Sequence, residues 1–304
     1  MSLGIKSDRL KSDLILLFVA AVWGSGFVAQ RFGAAQMDAF TFNGGRFLLA
    51  ALIIFIASKL RTGEPPAPPK KNQLAWMVLA GGLLFTAAGL QQAGLETTTV
   101  GNAGFITGLY VVLVPLILFV VLRERVTWAQ WLAVLIAVAG VGLLSLTDEF
   151  RLVSGDVLEL AGAVVWALHV ILVGRLASQG ADVMRFSAVQ FATCGVLNLG
   201  LALALNPDVF QVLARSWLPV VYSAVFPGAI GFTLQITGQK HAPAVDAAII
   251  LSTEAVFGAL FAYLFLSEVL GPRQILGCVL IMAAILLAQV RPQEKLRLEP
   301  EKAG

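Results

Sequence analysis

Two titratable residues stand alone in long apolar runs. Glu254 lies in Ile250-Leu251-Ser252-Thr253-Glu254-Ala255-Val256-Phe257-Gly258, and His169 in Trp166-Ala167-Leu168-His169. A lipid-facing carboxylate costs on the order of 2.5–3.5 kcal/mol on insertion scales. Glu254 is therefore expected to face a water-filled cavity, find a partner or carry a proton. His169 is the candidate partner, because histidine is the side chain that titrates near neutral pH. One reading makes the pair neutral glue between helices. The other lines a substrate cavity with it, where it meets an amino or carboxylate group and takes part in proton coupling.

Further polar residues fall at membrane depth. Arg46, Gln91 and Asn102 sit in outer thirds of their apolar runs, whereas Gln190, Gln235 and Asp246 sit in inner thirds. Each triplet could satisfy the buried polar groups of its own half. Alternatively, the two could act as matched outer and inner gates. Arg46 needs an anion, and Glu96 in the adjacent outer loop is the expected one. Trp23, Tyr110 and Trp166 are candidate cavity aromatics, able to pack against an apolar part of a substrate. The two histidines and two cysteines show no metal-ligand spacing, and neither HExxH nor GxSxG occurs. No metal, cofactor or enzymatic chemistry is expected.

The elements that must position these residues follow from composition. Of 304 residues, 58% are hydrophobic and 13% charged, against about 25% charged in soluble domains. The mean hydropathy is +0.86. Apolar runs occur near 14–33, 40–59, 74–95, 99–122, 128–146, 157–177, 184–205, 217–238, 244–266 and 273–290. Each approaches the roughly 20 residues of a spanning helix. Both faces of these runs are apolar, which favours helices over the alternating strands of a barrel. The first run lacks a clean cleavage site and is read as a retained span. Sixteen of the 21 Lys and Arg fall on one side if the N-terminus is inside, so both termini are expected to be cytoplasmic. No basic stripe suggests a nucleic acid.

The chain also repeats itself. Leu90, Gln91 and Gly94 recur as Leu234, Gln235 and Gly238; Glu124 recurs as Glu268 and Gln130 as Gln274. With one residue of gap, Asp13 matches Asp156 and Trp23 matches Trp166. Five spans per copy turn the second copy upside down, the architecture of many secondary transporters. The expected fold is an all-α membrane protein of ten transmembrane helices in two inverted five-helix repeats. The repeats cover 12–146 and 154–290, with a cytoplasmic tail at 291–304.

Three stretches carry a family resemblance: Ala21-Val22-Trp23-Gly24-Ser25-Gly26, Gly104-Phe105-Ile106-Thr107-Gly108-Leu109-Tyr110 through Pro115, and Phe265-Leu266-Ser267-Glu268. Together with Leu122-Arg123-Glu124-Arg125 they resemble the EamA-type branch of the drug/metabolite transporter superfamily. The resemblance implies a carrier in the bacterial cytoplasmic membrane that exports small metabolites, amino acids first among them. Its partners would be a small-molecule substrate and membrane lipid. A passive channel, or an exporter of nucleosides or drugs, is the alternative. Many relatives have proline at the positions of Val111 and Ala255. Here the fourth run has Pro115 instead and the ninth has none, so no bend is expected in the ninth. A hinge is expected in the eighth, at Phe226-Pro227-Gly228.

Overall fold

The computed structural model describes residues 2–62, 66–98, 100–145, 153–266 and 271–289. Its regular structure is helical throughout these residues. Four helices make up most of the first half: α1 (Ser2–Ala34), α2 (Ala39–Leu60), α3 (Gln73–Gly94) and α6 (Trp128–Ser145), with the shorter α4 (Val100–Gly108) and α5 (Tyr110–Val120) between α3 and α6. The second half has α7 (Ser154–Ser178), α8 (Val183–Leu205), α9 (Val209–Arg215), α10 (Trp217–Ser223), α11 (Thr233–Gly238), α12 (Ala244–Leu251), α13 (Glu254–Leu266) and α14 (Pro272–Gln289). Seven helical runs are long and apolar enough to cross a bilayer, and three shorter apolar helices accompany them. This is an integral membrane protein.

Local chemistry sets the helix ends. Asp38 starts α2 by accepting from the amides of Phe40 and Thr41 at 3.0 and 2.9 Å. Asp182 starts α8 by accepting from the Arg185 amide at 2.9 Å. Both satisfy amides that a helix start leaves without partners. Gly180, at φ +80°, ends α7 in the left-handed conformation that glycine adopts without a Cβ penalty.

Packing relies on small residues, because lipid supplies no hydrophobic drive between helices. The closest helix pairs include α2 with α8 and α6 with α14. A Cβ on Gly195 of α8 would fall 2.8 Å from the Leu48 nitrogen of α2, and one on Gly140 of α6 would fall 2.8 Å from the Gly277 carbonyl of α14. Such approaches are open only to glycine.

Three interruptions shape the interior. The helix containing Tyr110 breaks at Leu109, between α4 and α5. The run containing Glu254 breaks at Ser252–Thr253, between α12 and α13, so the expectation of an unbent ninth run is corrected. Hydroxyls do here what proline was expected to do. Ser252 Oγ donates to the Ile249 carbonyl at 2.7 Å and Thr253 Oγ1 to the Ile250 carbonyl at 2.6 Å, competing with the helix for its own acceptors. In the eighth run, Ala224–Phe232 is π-helical with Pro227 inside it, where the hinge was expected.

Candidate functional site

The interruptions converge on one cavity. Its walls come from Trp23 and Phe27 of α1, Arg46 of α2, Gln91 of α3, Thr107 and Tyr110 on either side of the Leu109 break, Trp166 of α7, Phe232 and Glu254. About 520 Å³ inside these walls is free of protein atoms. Glu254 is the first residue of α13, directly after the Ser252–Thr253 break. That break brings its carboxylate to the cavity.

Aromatic rings form the apolar part of the wall, gathered around Phe232. Its ring centroid lies 4.8 Å from Trp23, 6.1 Å from Trp166 and 6.1 Å from Phe47. The Trp23 indole donates to the Pro227 carbonyl at 3.2 Å. It thereby fastens α1 to the π-helical segment.

The charged part of the wall holds two groups of opposite sign. Arg46 is 5% exposed, and its guanidinium lies 5.0 and 4.7 Å from the ring centroids of Phe42 and Phe47. No carboxylate pairs with it among the described residues. Glu96 does not reach it: that carboxyl sits beside Asp38 and takes a hydrogen bond from the Ala39 backbone, which corrects the expected Arg46–Glu96 pair. Glu254 is 5% exposed and neighbours the Tyr110 ring. It forms no ion pair among the described residues. The Tyr110 hydroxyl, the Trp166 indole nitrogen and Arg46 Nε are buried without hydrogen-bond partners. The wall is rich in donors that lack acceptors.

Trp23, Tyr110, Trp166 and Glu254 thus share one cavity with Arg46 and Gln91. His169 lies outside it. The ring is fully buried, its Nε2 is 3.1 Å from Gln190 Oε1, and it packs edge-on against Trp166 and Phe232. The expected Glu254–His169 pair is not formed, because Val170 rather than His169 turns toward the cavity from α7. Gln91 Nε2 donates to Thr107 Oγ1 at 3.2 Å. Gln235 is buried with both amide atoms unpartnered. The Asn102 side chain and Glu268 lie outside the described residues.

Asp246 sits in a polar cluster that the sequence did not reveal. Arg9 of α1 donates to Asp246 Oδ2 at 2.7 Å and to Asp13 at 3.0 Å, and Gln130 of α6 donates to Asp246 Oδ1 at 2.7 Å. Arg9 was counted only as a charge flanking the first run. Phe232 gave no signal at all, being one apolar residue among many.

A family model, the EamA-like transporter family, matches the chain twice, over residues 10–146 and 153–289. The chain belongs to this family. Curated relatives of this EamA-like transporter are themselves named as transporters. One from Archaeoglobus fulgidus is 30% identical over 95% of this chain and 88% of its own length. The YyaM protein of Bacillus subtilis is 21% identical over 92% and 94%. Both carry the name uncharacterized transporter. A crystal structure of a protein 19% identical in sequence superposes with a TM-score of 0.76 over 92% of this chain and 97% of that one, showing a shared fold. An EamA-like transporter binds a small molecule and sits in lipid, which fits a cavity enclosed by membrane helices.

Proposed function

We propose that the protein is a secondary transporter that exports amino acids across the bacterial cytoplasmic membrane by alternating access. The observation that carries this reading is the cavity wall itself. It pairs a guanidinium without an anion with a carboxylate without a cation, and flanks both with aromatic rings. A zwitterion supplies both missing partners: its carboxylate meets Arg46, its ammonium meets Glu254, and its side chain packs among Trp23, Trp166 and Phe232. Between substrates, Glu254 takes a proton in place of the ammonium, which couples export to proton entry.

Ten spans in two inverted repeats, with both termini cytoplasmic, form the frame for this cycle. Several features support it. The capping residues Asp38 and Asp182 occupy matching repeat positions, as do the breaks at Leu109 and at Ser252–Thr253. Gly94 packs on Glu159 of α7, and its repeat mate Gly238 packs on Leu16 of α1. In this reading the Arg9–Asp246–Gln130 cluster closes the inner side, while Arg46 and Gln91 border the outer approach.

Counterflow of labelled amino acids into proteoliposomes tests the proposal, with amino-acid amides and decarboxylated amines as competitors. Wild type should prefer the intact zwitterion. Removing one partner of a desolvated charge pair costs about 2–5 kcal/mol. Arg46→Gln should therefore lose its preference for the acid over the amide, and Glu254→Gln should lose recognition of the ammonium. Counterflow of nucleosides or sugars without amino acids would overturn the substrate class. Flux without trans-stimulation would indicate a channel.

A further inference from the structure

A second carboxyl is buried behind the cavity wall. Glu159 of α7 is fully buried. Its Oε2 accepts from the Thr107 hydroxyl at 2.9 Å, and its Oε1 has no hydrogen-bond partner. Across from it, α3 offers only Gly94, where a Cβ would stand 2.8 Å from Oε1. No Lys, Arg or His pairs with it among the described residues. The charged neighbour is Asp156, one turn earlier on α7, itself engaged by the Thr98 hydroxyl and the Val153 amide. An ionised carboxylate in this setting has neither a counter-charge nor enough donors, and that arrangement is expensive.

Thr107 connects this carboxyl to the cavity. Its Oγ1 accepts from Gln91 at 3.2 Å while donating to Glu159, and both Thr107 and Gln91 line the cavity. One turn along, past the Leu109 break, Tyr110 neighbours Glu254. The two carboxyls are thus reached from residues on either side of a single helix interruption.

We propose that Glu159 is a proton-binding site, distinct from the substrate-facing carboxylate, that exchanges its proton with the cavity through Thr107. Reversal of the Thr107 hydroxyl makes the transfer. As the O–H bond on Glu159 breaks, a new O–H bond forms on Thr107 Oγ1. The original Thr107 proton passes to a water in the cavity, and the carboxylate left behind is reprotonated by the reverse route. The site does not depend on the substrate being an amino acid.

Infrared difference spectroscopy of the purified full-length protein, stepped between acid and alkaline pH, reads the site directly. A protonated-carboxyl C=O band should be present in wild type, survive in Glu254→Gln and vanish in Glu159→Gln. Thr107→Val should shift that band by removing its hydrogen bond and slow its exchange into D2O, and Thr107→Ser should restore both. In proteoliposomes, the stimulation of flux by a pH gradient, taken relative to zero-gradient counterflow, should disappear in Glu159→Gln. An unchanged carboxyl band in Glu159→Gln, or gradient stimulation equal to wild type, would overturn the assignment. Loss of amino-acid counterflow in every variant with the Glu159 band intact would fail the substrate reading and leave this site standing.

Discussion

Glycine at position 24 sets how closely α1 approaches the helix that carries Glu254, and one methyl group tests this. A Cβ there would stand 2.6 Å from Phe257 Cβ, 2.7 Å from the Gly258 nitrogen and 2.8 Å from the Glu254 carbonyl. Two of these neighbours are backbone atoms, which no side-chain rotation can move aside. Against ordinary carbon–carbon contact the shortfall is about 1 Å, so α1 and α13 must part by that amount. Overpacking of this kind costs about 1–3 kcal/mol. Gly89→Ala on α3 is the control, because nothing lies within 4 Å of its Cβ; there, removing a helical glycine should stabilise by about 0.5–1 kcal/mol. Thermal unfolding in detergent should place Gly24→Ala below wild type and Gly89→Ala at or above it. Gly24→Ala should also weaken substrate binding in counterflow, since parting the helices displaces the backbone of Glu254. If Gly24→Ala unfolds and transports like Gly89→Ala, the α1–α13 contact described here is wrong.

Three other perturbations address separate features. Arg9→Ala leaves Asp246 buried with a weakened partner set, at the low end of about 3–5 kcal/mol for breaking a buried pair because the Arg9 side chain is 20% exposed. A cysteine at Ala242, in a chain whose Cys194 and Cys278 are replaced, should then react faster with a cytoplasmic thiol reagent. Ser252→Ala combined with Thr253→Val returns the Ile249 and Ile250 carbonyls to the helix; melting should shift upward while counterflow slows, and an unaltered rate would remove the break from the transport cycle. Burial, and after it the negative charge of Asp38, hold the Glu96 carboxyl above the usual carboxylate range, partly offset by the Ala39 amide. Glu96→Gln should therefore stabilise the protein above that range, where wild-type Glu96 is charged. The gain should vanish in acid, where both side chains are neutral; melting curves across pH check the sign.

The helices were legible because lipid imposes long apolar runs, and the depth of a polar residue can be counted along such a run. Which way that residue turns cannot be counted. Trp166 and His169 are three residues apart on α7, yet one lines the cavity and the other backs away to Gln190. The Glu254–His169 and Arg46–Glu96 pairs were inferred from depth, and both failed on direction. The break beside Glu254 was missed because proline was taken as the only helix breaker, whereas Ser252 and Thr253 use their hydroxyls. Glu159 was read as part of an apolar span near its end. Only the fold shows that it is enclosed and joined to Thr107.

The π-helical stretch from Ala224 to Phe232 amounts to an extra residue accommodated inside a continuous helix. Deleting one residue from it would let the segment relax to α-helical pitch and rotate all that follows by about 100°. Gln235 and Gln239, now turned inward, would swing toward the acyl chains, and the Trp23 indole would lose its acceptor on Pro227. Length in this short window is therefore under tighter constraint than residue identity. A single-codon deletion here should be far more damaging than most substitutions at the same positions.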